Sequence, residues 1–160
     1  MSIKIKLNKF GLLLLVIIIS SCGFKVVDKS NINNYSVKNI ITSGDIRINY
    51  KIKNSLLINS KKENDNQLNI KIETNKVKEI KEKNIKNEIV KYQVRIISNL
   101  EINLLKQEKI IKISEAVQGE YSVDKTYSTT LTNEKKLIES LTENLADKIQ
   151  NKLNNLINDT

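Results

Sequence analysis

The chain has 160 residues, within the range of a single domain, and carries 27 Lys and Arg against 18 Asp and Glu, a formal charge of +9. It has no His, one Cys and four Gly, which excludes a disulfide, a Gly-rich phosphate loop and the commonest general base and metal ligand. No activated nucleophile is visible, so we expect a non-enzymatic protein with no metal and no cofactor. The basic excess predicts an anionic partner.

The N-terminus has the layout of a secretory signal. Lys4, Lys6 and Lys9 precede a ten-residue apolar run, Phe10 to Ile19, and two serines follow before Cys22. This run is too short for a transmembrane helix, and an ordinary buried thiol would leave the basic start and the small residues unexplained. The pattern Ile19-Ser20-Ser21-Cys22 resembles a bacterial lipobox. That resemblance implies a signal peptide over residues 1–21, cleavage after Ser21, diacylglycerol on the Cys22 sulfur and a fatty-acylated (palmitate) N-terminus.

The mature chain is predicted to be a tether, residues 22–36, followed by one domain, residues 37–160. Loss of the three signal lysines lowers the formal charge from +9 to +6. Val37 to Thr42 is a β-branched run and predicts a strand. Residues 46–60 are ambiguous, because Ile46, Ile48, Tyr50 and Ile52 alternate as in a strand whereas Ile48, Ile52 and Leu56 recur every four residues. We favour a helix, because Asp45 precedes the run and is a good N-cap.

Three strands are predicted after the charged loop 61–66. Residues 68–74 alternate in polarity, and residues 92–104 form the clearest strand, with apolar side chains on one face. A partner strand covers residues 111–121, and the polar residues around Lys106 predict a hairpin turn. The Lys/Glu-rich stretch 77–88 is predicted to be an extended arm or loop.

The chain ends in a predicted amphipathic helix, from about Thr132 to Ile157, with Thr132 or Asn133 as its N-cap. Its apolar stripe is spaced by three or four residues and consists of Leu137, Leu141, Leu145, Ile149, Leu153 and Leu156. The order βαβββα predicts an α+β two-layer sandwich, in which two helices cover one face of a small, mostly antiparallel sheet of about four strands. The other face and the edges stay open to a partner.

Three local patterns resemble the LptE family of lipopolysaccharide-assembly lipoproteins. Cys22-Gly23-Phe24 is similar to that family's mature start, Lys91-Tyr92-Gln93-Val94 to the opening of a strand, and residues 121–134 with the following helix to its C-terminal third. There are departures: Lys25-Val26-Val27 stands where a Leu-Arg pair is common, no Gly occupies the turn near Lys106, and the charged stretch 76–91 is longer.

The resemblance implies a lipoprotein on the periplasmic side of the outer membrane that plugs an LptD-type β-barrel, helps it assemble and contacts lipopolysaccharide. Gly23 is permissive for transfer to that membrane. The resemblance points to basic residues in two regions as lipopolysaccharide contacts, and the nearest candidates are Lys83, Lys86 and Lys125. Solvated lysines without a specific partner are the alternative for each.

Two other functions stay open at this point. One is a generic lipid-anchored binding module for anionic lipid or another envelope protein, with a basic sheet face. The other is a periplasmic hydrolase, which would need a buried Lys or carboxylate. Export argues against nucleic acid as a partner.

Overall fold

The alternating and four-residue periodicities of the sequence produce the predicted order βαβββα. The computed structural model describes residues 35–158. The strands are β1 (Ser36–Gly44), β2 (Gln67–Lys83), β3 (Ile89–Leu104) and β4 (Lys109–Ser122), and the helices are α1 (Ile46–Ile58) and α2 (Tyr127–Asn158). The α+β class is confirmed, as is the helical interpretation of the ambiguous segment, which ends two residues before the predicted Ser60.

The four strands form one mixed sheet in the order β1-β2-β3-β4. Strands β2, β3 and β4 are an antiparallel meander, and the predicted turn near Lys106 joins β3 to β4. Strand β1 is parallel to β2, with α1 as the crossover between them. Because β1 pairs with β2 only from Gln67 to Thr74, the second half of β2 has β3 as its only neighbour in the sheet.

The core lies between the two helices and one face of the sheet. Strand β3 contributes alternate residues from Val94 to Leu104 and α2 contributes a stripe from Leu141 to Ile157, all buried. Tyr35 is also buried at this face, and its hydroxyl donates to the carbonyl of Leu56 at 3.3 Å and accepts from Gln150 Nε2 at 2.9 Å. The first described residue therefore joins the domain at the C-terminal end of α1.

The junction between β1 and α1 depends on Gly44 and Asp45. Gly44 has φ +89°, and a Cβ at this position would collide with the carbonyl of Thr74. The Asp45 carboxylate accepts hydrogen bonds from the backbone N–H groups of Arg47 and Ile48, which caps α1. It also pairs with Lys76 at 2.9 Å. Burial pushes the pKa of Asp45 upward, but these bonds outweigh it and hold the pKa below its ordinary value.

The charged stretch 77–88 corrects one prediction. It is not a loose arm, because β2 continues through it to Lys83 and stays paired with β3, and only residues 84–88 form a turn. Ion pairs between strands replace apolar contacts here: Lys91 lies 3.1 Å from Glu82 on the adjacent strand, and Lys81 of β2 lies 3.3 Å from Glu120 of β4, across β3.

The start of the last helix is a second correction. Helix α2 begins at Tyr127, and the hydroxyl of Thr126 accepts from the N–H of Thr129 at 3.3 Å. Both predicted caps, Thr132 and Asn133, lie inside the helix, where the Thr132 hydroxyl donates to the carbonyl of Ser128. Close packing fixes α2 on β4, since a Cβ at Gly119 would lie 2.7 Å from Leu137 Cδ1. No helix in residues 35–158 has the length and apolar character to cross a membrane.

Candidate functional site at the hairpin end

Two loops meet at one end of the sheet, and we call residues 83–88 together with 123–126 the hairpin end. The β2–β3 turn closes with Lys83 paired to Ile89, and the N–H of Val123 donates to the carbonyl of Val90 at 2.9 Å. The structure therefore brings Lys83, Lys86 and Lys125, which are 42 positions apart in the sequence at most, to the same end of the molecule. Cys22, the predicted lipidation site, lies outside the described residues.

The turn at the hairpin end is fixed by one asparagine. Asn84 Oδ1 accepts from the N–H groups of Lys86 and Glu88 at 2.9 and 3.0 Å. Asn87 adopts φ +62°, a left-handed conformation that Asn tolerates well. The backbone that carries Lys86 is therefore held by local hydrogen bonds.

The three candidate lysines differ from their neighbours in their partners. Lys81 and Lys91 form ion pairs with carboxylates. Within residues 35–158 no carboxylate lies within ion-pair distance of the three candidates, and Lys83 instead donates to Asn87 Oδ1 at 3.1 Å. Glu88 and Asp124 lie in the same loops, so the net charge of this end is small. The lysines therefore act as separate cationic donors rather than as a broad basic field.

Exposed apolar side chains lie close to these lysines in the chain, and sequence reasoning missed them. Ile85 at the turn is fully exposed, and Ile80, Tyr127 and Leu131 expose about half of their side chains or more. Isolated apolar residues inside a Lys/Glu tract were the available signal, but the sequence does not show which face each residue occupies. Cations and apolar groups side by side suit an amphiphile with phosphate groups.

A cluster of one lysine, one glutamate and two tyrosines connects the β2–β3 hairpin to α2 next to the hairpin end. Lys78 Nζ lies 2.7 Å from Glu134 Oε2, and the hydroxyl of Tyr121 donates to the same oxygen at 2.7 Å. Lys78 also lies 4.3 Å above the ring centroid of Tyr92, which stacks on Tyr121 with centroids 5.6 Å apart. Tyr92, Tyr121 and Glu134 belong to the patterns that carry the family resemblance, and Lys78 lies in the charged stretch before them.

The charges of this cluster stabilise one another. Burial raises the pKa of Glu134, but hydrogen bonds from Lys78 and Tyr121 outweigh it and hold the pKa below its ordinary value. Burial also acts to lower the pKa of Lys78, yet Glu134 and Tyr121 raise it overall. The pKa of Tyr121 is raised, first by burial. Each partner is thus held in the protonation state that it has near pH 7, which suits a structural contact rather than proton transfer.

The open face of the sheet carries polar and charged side chains of both signs, with a few exposed isoleucines such as Ile41. A shallow depression there is lined by Ile41, Lys71, Asn99, Lys112 and Ser114, among others. Lys71 pairs with Glu101 at 3.3 Å, and Ser114 donates to Asn99 at 2.8 Å. Charges of both signs therefore line this depression, and Lys112 has no carboxylate within ion-pair distance among residues 35–158. No group of three His, Cys, Asp or Glu residues within residues 35–158 could hold a metal ion.

Comparisons with known proteins establish the fold. No protein-family model and no curated protein matches the sequence. The structure is similar to the rare lipoprotein B from Shewanella oneidensis, with a TM-score of 0.59 and 10% identity over 78% of this chain and 96% of that one. It is also similar to an uncharacterized lipoprotein B from Nitrosomonas europaea, with a TM-score of 0.54 and 10% identity over 80% of this chain and 90% of that one. The chain therefore shares the fold of these lipoproteins.

Proposed function

We propose that the protein is a non-enzymatic outer-membrane lipoprotein of the LptE type, anchored through Cys22 on the periplasmic side. In this role it occupies and helps assemble an LptD-type β-barrel and contacts lipopolysaccharide. The observation that carries the proposal is the hairpin end, where lysines without carboxylate partners lie close in the chain to exposed apolar side chains, on a fold shared with lipoproteins.

Lipopolysaccharide matches the chemistry of this end. Its lipid A part carries phosphates and acyl chains together, so it needs cationic donors next to apolar surface. Lys86 and Lys125 offer ammonium groups, and Ile85 and Tyr127 offer exposed apolar surface close to them in the chain. A structural alternative, a solvated surface turn, also accounts for the lysines, whereas an amphiphilic ligand would in addition cover the exposed isoleucine and tyrosine.

The open sheet face supports the barrel part of the proposal. Its side chains include Asn, Ser, Gln and charges of both signs, such as the paired Lys71 and Glu101. Such a surface needs no apolar partner and suits a water-filled barrel lumen, whose inner wall is polar. The long hairpin also extends beyond the end of β1, so it can reach further into a lumen than the rest of the sheet.

Purification under mild detergent conditions tests the barrel partner. The lipidated mature protein is expected to co-purify with a large outer-membrane β-barrel protein, with the two proteins in near-equal molar amounts. Recovery of the protein alone, or with a soluble periplasmic protein only, would contradict the barrel assignment. It would favour the generic lipid-anchored binding module instead.

A matched set of variants tests the lipopolysaccharide contact. Replacing Lys83, Lys86 and Lys125 with Gln is expected to weaken lipopolysaccharide binding by roughly tenfold or more, because each lysine near an anionic lipid surface contributes about 1 kcal/mol. The control replaces three exposed lysines elsewhere with Gln and so changes the net charge equally; these are Lys38, Lys135 and Lys136. Equal loss of affinity in both variants would show that only overall charge matters.

A further inference from the structure

Helix α1 has an exposed apolar stripe on the side opposite its buried face. Ile46, Tyr50 and Leu57 expose 83, 66 and 41% of their surface, and Ile58 next to them exposes 82%. The spacing i, i+4, i+7, i+11 places Ile46, Tyr50, Lys53 and Leu57 on one line along the helix. The buried residues Ile48, Ile52 and Leu56 lie on the other side. The stripe is about 17 Å long at 1.5 Å per residue.

The charged side chains of the α1 segment itself have a single sign, whereas Asp45 before it is paired with Lys76. Residues 46–62 contain five basic residues, Arg47, Lys51, Lys53, Lys61 and Lys62, and no acidic one. Lys51 is paired with Glu143 of α2 at 3.0 Å. Within residues 35–158, no carboxylate lies within ion-pair distance of the other four. The combination of an apolar stripe with flanking cations is typical of helices that lie in an anionic membrane interface.

The first described residue, Tyr35, contacts the C-terminal end of α1 and the turn that follows it. The N–H of Lys61 donates to the carbonyl of Tyr35 at 2.9 Å, and the hydroxyl of Tyr35 bonds Leu56 of α1. Tyr35 lies thirteen positions after Cys22, a span of at most about 45 Å. A lipid on Cys22 would keep α1 within that distance of a leaflet, at an effective concentration of the order of millimolar. Even weak attraction then suffices for docking.

We propose that the stripe of α1 docks on the anionic phospholipid leaflet that holds the N-terminal lipid, while the protein is not bound to a barrel. Leu57 and Tyr50 enter the headgroup region, and Arg47 and Lys53 meet lipid phosphates. This inference rests on the lipid anchor of the proposed function but not on the barrel or on lipopolysaccharide. It assigns a membrane contact to a surface distinct from the hairpin end.

The absence of Trp from the sequence makes the test direct. Leu57→Trp in the lipidated mature protein places one fluorophore on the stripe. Ile110→Trp, at an exposed position on the open sheet face, is the matched control. Both proteins are reconstituted through their anchor into vesicles of phosphatidylcholine, with or without about one-third phosphatidylglycerol, a share chosen to give a strongly negative surface. The mass of the Cys22 peptide is checked first.

We expect the Leu57→Trp emission to shift to the blue in anionic vesicles, and brominated acyl chains to quench it at least about twofold more than Ile110→Trp. Adding Arg47→Gln and Lys53→Gln is expected to weaken docking roughly tenfold or more, whereas Lys135→Gln with Lys136→Gln leaves it unchanged. Circular dichroism checks that each variant is folded.

Three results would overturn the inference. Equal quenching of the two fluorophores would show that the stripe does not enter the membrane. A blue shift of equal size in uncharged vesicles without bromolipid quenching would show that the segment before Tyr35 covers it. A shift that depends on protein density and not on lipid charge would assign the stripe to a second copy of the chain. If Cys22 carries no lipid, the proposed function fails first, and the two failures are thereby distinguished.

Discussion

Replacing Lys78 with Met removes the cation that links the hairpin to α2. The ammonium group loses its contact with Glu134 at 2.7 Å and its position 4.3 Å above the Tyr92 ring, while the apolar stem is kept. A well-made hydrogen bond between charged groups contributes about 1.5–3 kcal/mol. Because the side chains of Lys78 and Glu134 are 39 and 21% exposed, solvent screening reduces this to about 1 kcal/mol. The cation–π contact adds about 0.5–1 kcal/mol.

The expected loss is therefore about 1.5–2 kcal/mol, or a fall in Tm of about 5 °C for a domain of this size. Urea unfolding of the mature chain, followed by circular dichroism, measures it. Lys81→Met is the matched control, because Lys81 lies in the same strand but pairs with Glu120 at 3.3 Å through side chains 47 and 39% exposed. We expect it to cost less than about 0.5 kcal/mol.

A double-mutant cycle with Glu134→Gln isolates the pair itself. The coupling free energy is expected to be about 1 kcal/mol, because the two side chains contact each other directly. The reasoning is refuted if Lys78→Met costs no more than Lys81→Met, or if the effects of Lys78→Met and Glu134→Gln simply add.

Further predictions concern the pH dependence of stability, the backbone at Gly44 and the core at Leu145. Glu134 and Asp45 have folded-state pKa values below their ordinary ones, so the unfolded chain binds protons first. Stability is then present above the ordinary Glu value of 4.5 and is lost as the pH falls below it, and Glu134→Gln should flatten this loss in urea unfolding at a series of pH values. Gly44→Ala is expected to destabilise the domain by more than about 1 kcal/mol, because the residue has φ +89° and its Cβ would collide with the Thr74 carbonyl. A thermal melt with unchanged Tm would contradict this. Leu145→Ala should cost about 2–5 kcal/mol in the same assay, since Leu145 is fully buried between α2 and the sheet.

Local patterns predicted most of the fold. The spacing of Ile48, Ile52 and Leu56 left a strand open as the alternative, and the cap Asp45, which acts within the same helix, decided correctly for α1. The arm at residues 77–88 was mispredicted because its strand is stabilised by charge pairs on neighbouring strands, such as Lys91 with Glu82, which no periodicity reveals. The start of α2 was placed late because the apolar stripe is weak before Leu137, while a Thr at position 126 makes the cap.

The candidate site was predictable only in part. The lysines of the hairpin end were identified from a resemblance, and the structure brings them together. Lys78 and Glu134 are 56 positions apart in the chain, so their contact follows from the β2–β3–β4 register and the path of α2, which the sequence does not give. The exposure of Ile85 and of the α1 stripe likewise cannot be predicted without knowing which faces of the sheet and helices are covered.

Photocrosslinking in intact cells from position 85 tests the central claim most directly. Ile85 is fully exposed at the tip of the hairpin, so a photoreactive amino acid there leaves the fold unchanged. The account predicts one major adduct, with a large outer-membrane β-barrel protein of the LptD type, and labelling of lipopolysaccharide beside it. A lipidated, folded protein that forms adducts only with other envelope proteins, or none at all, would contradict the account.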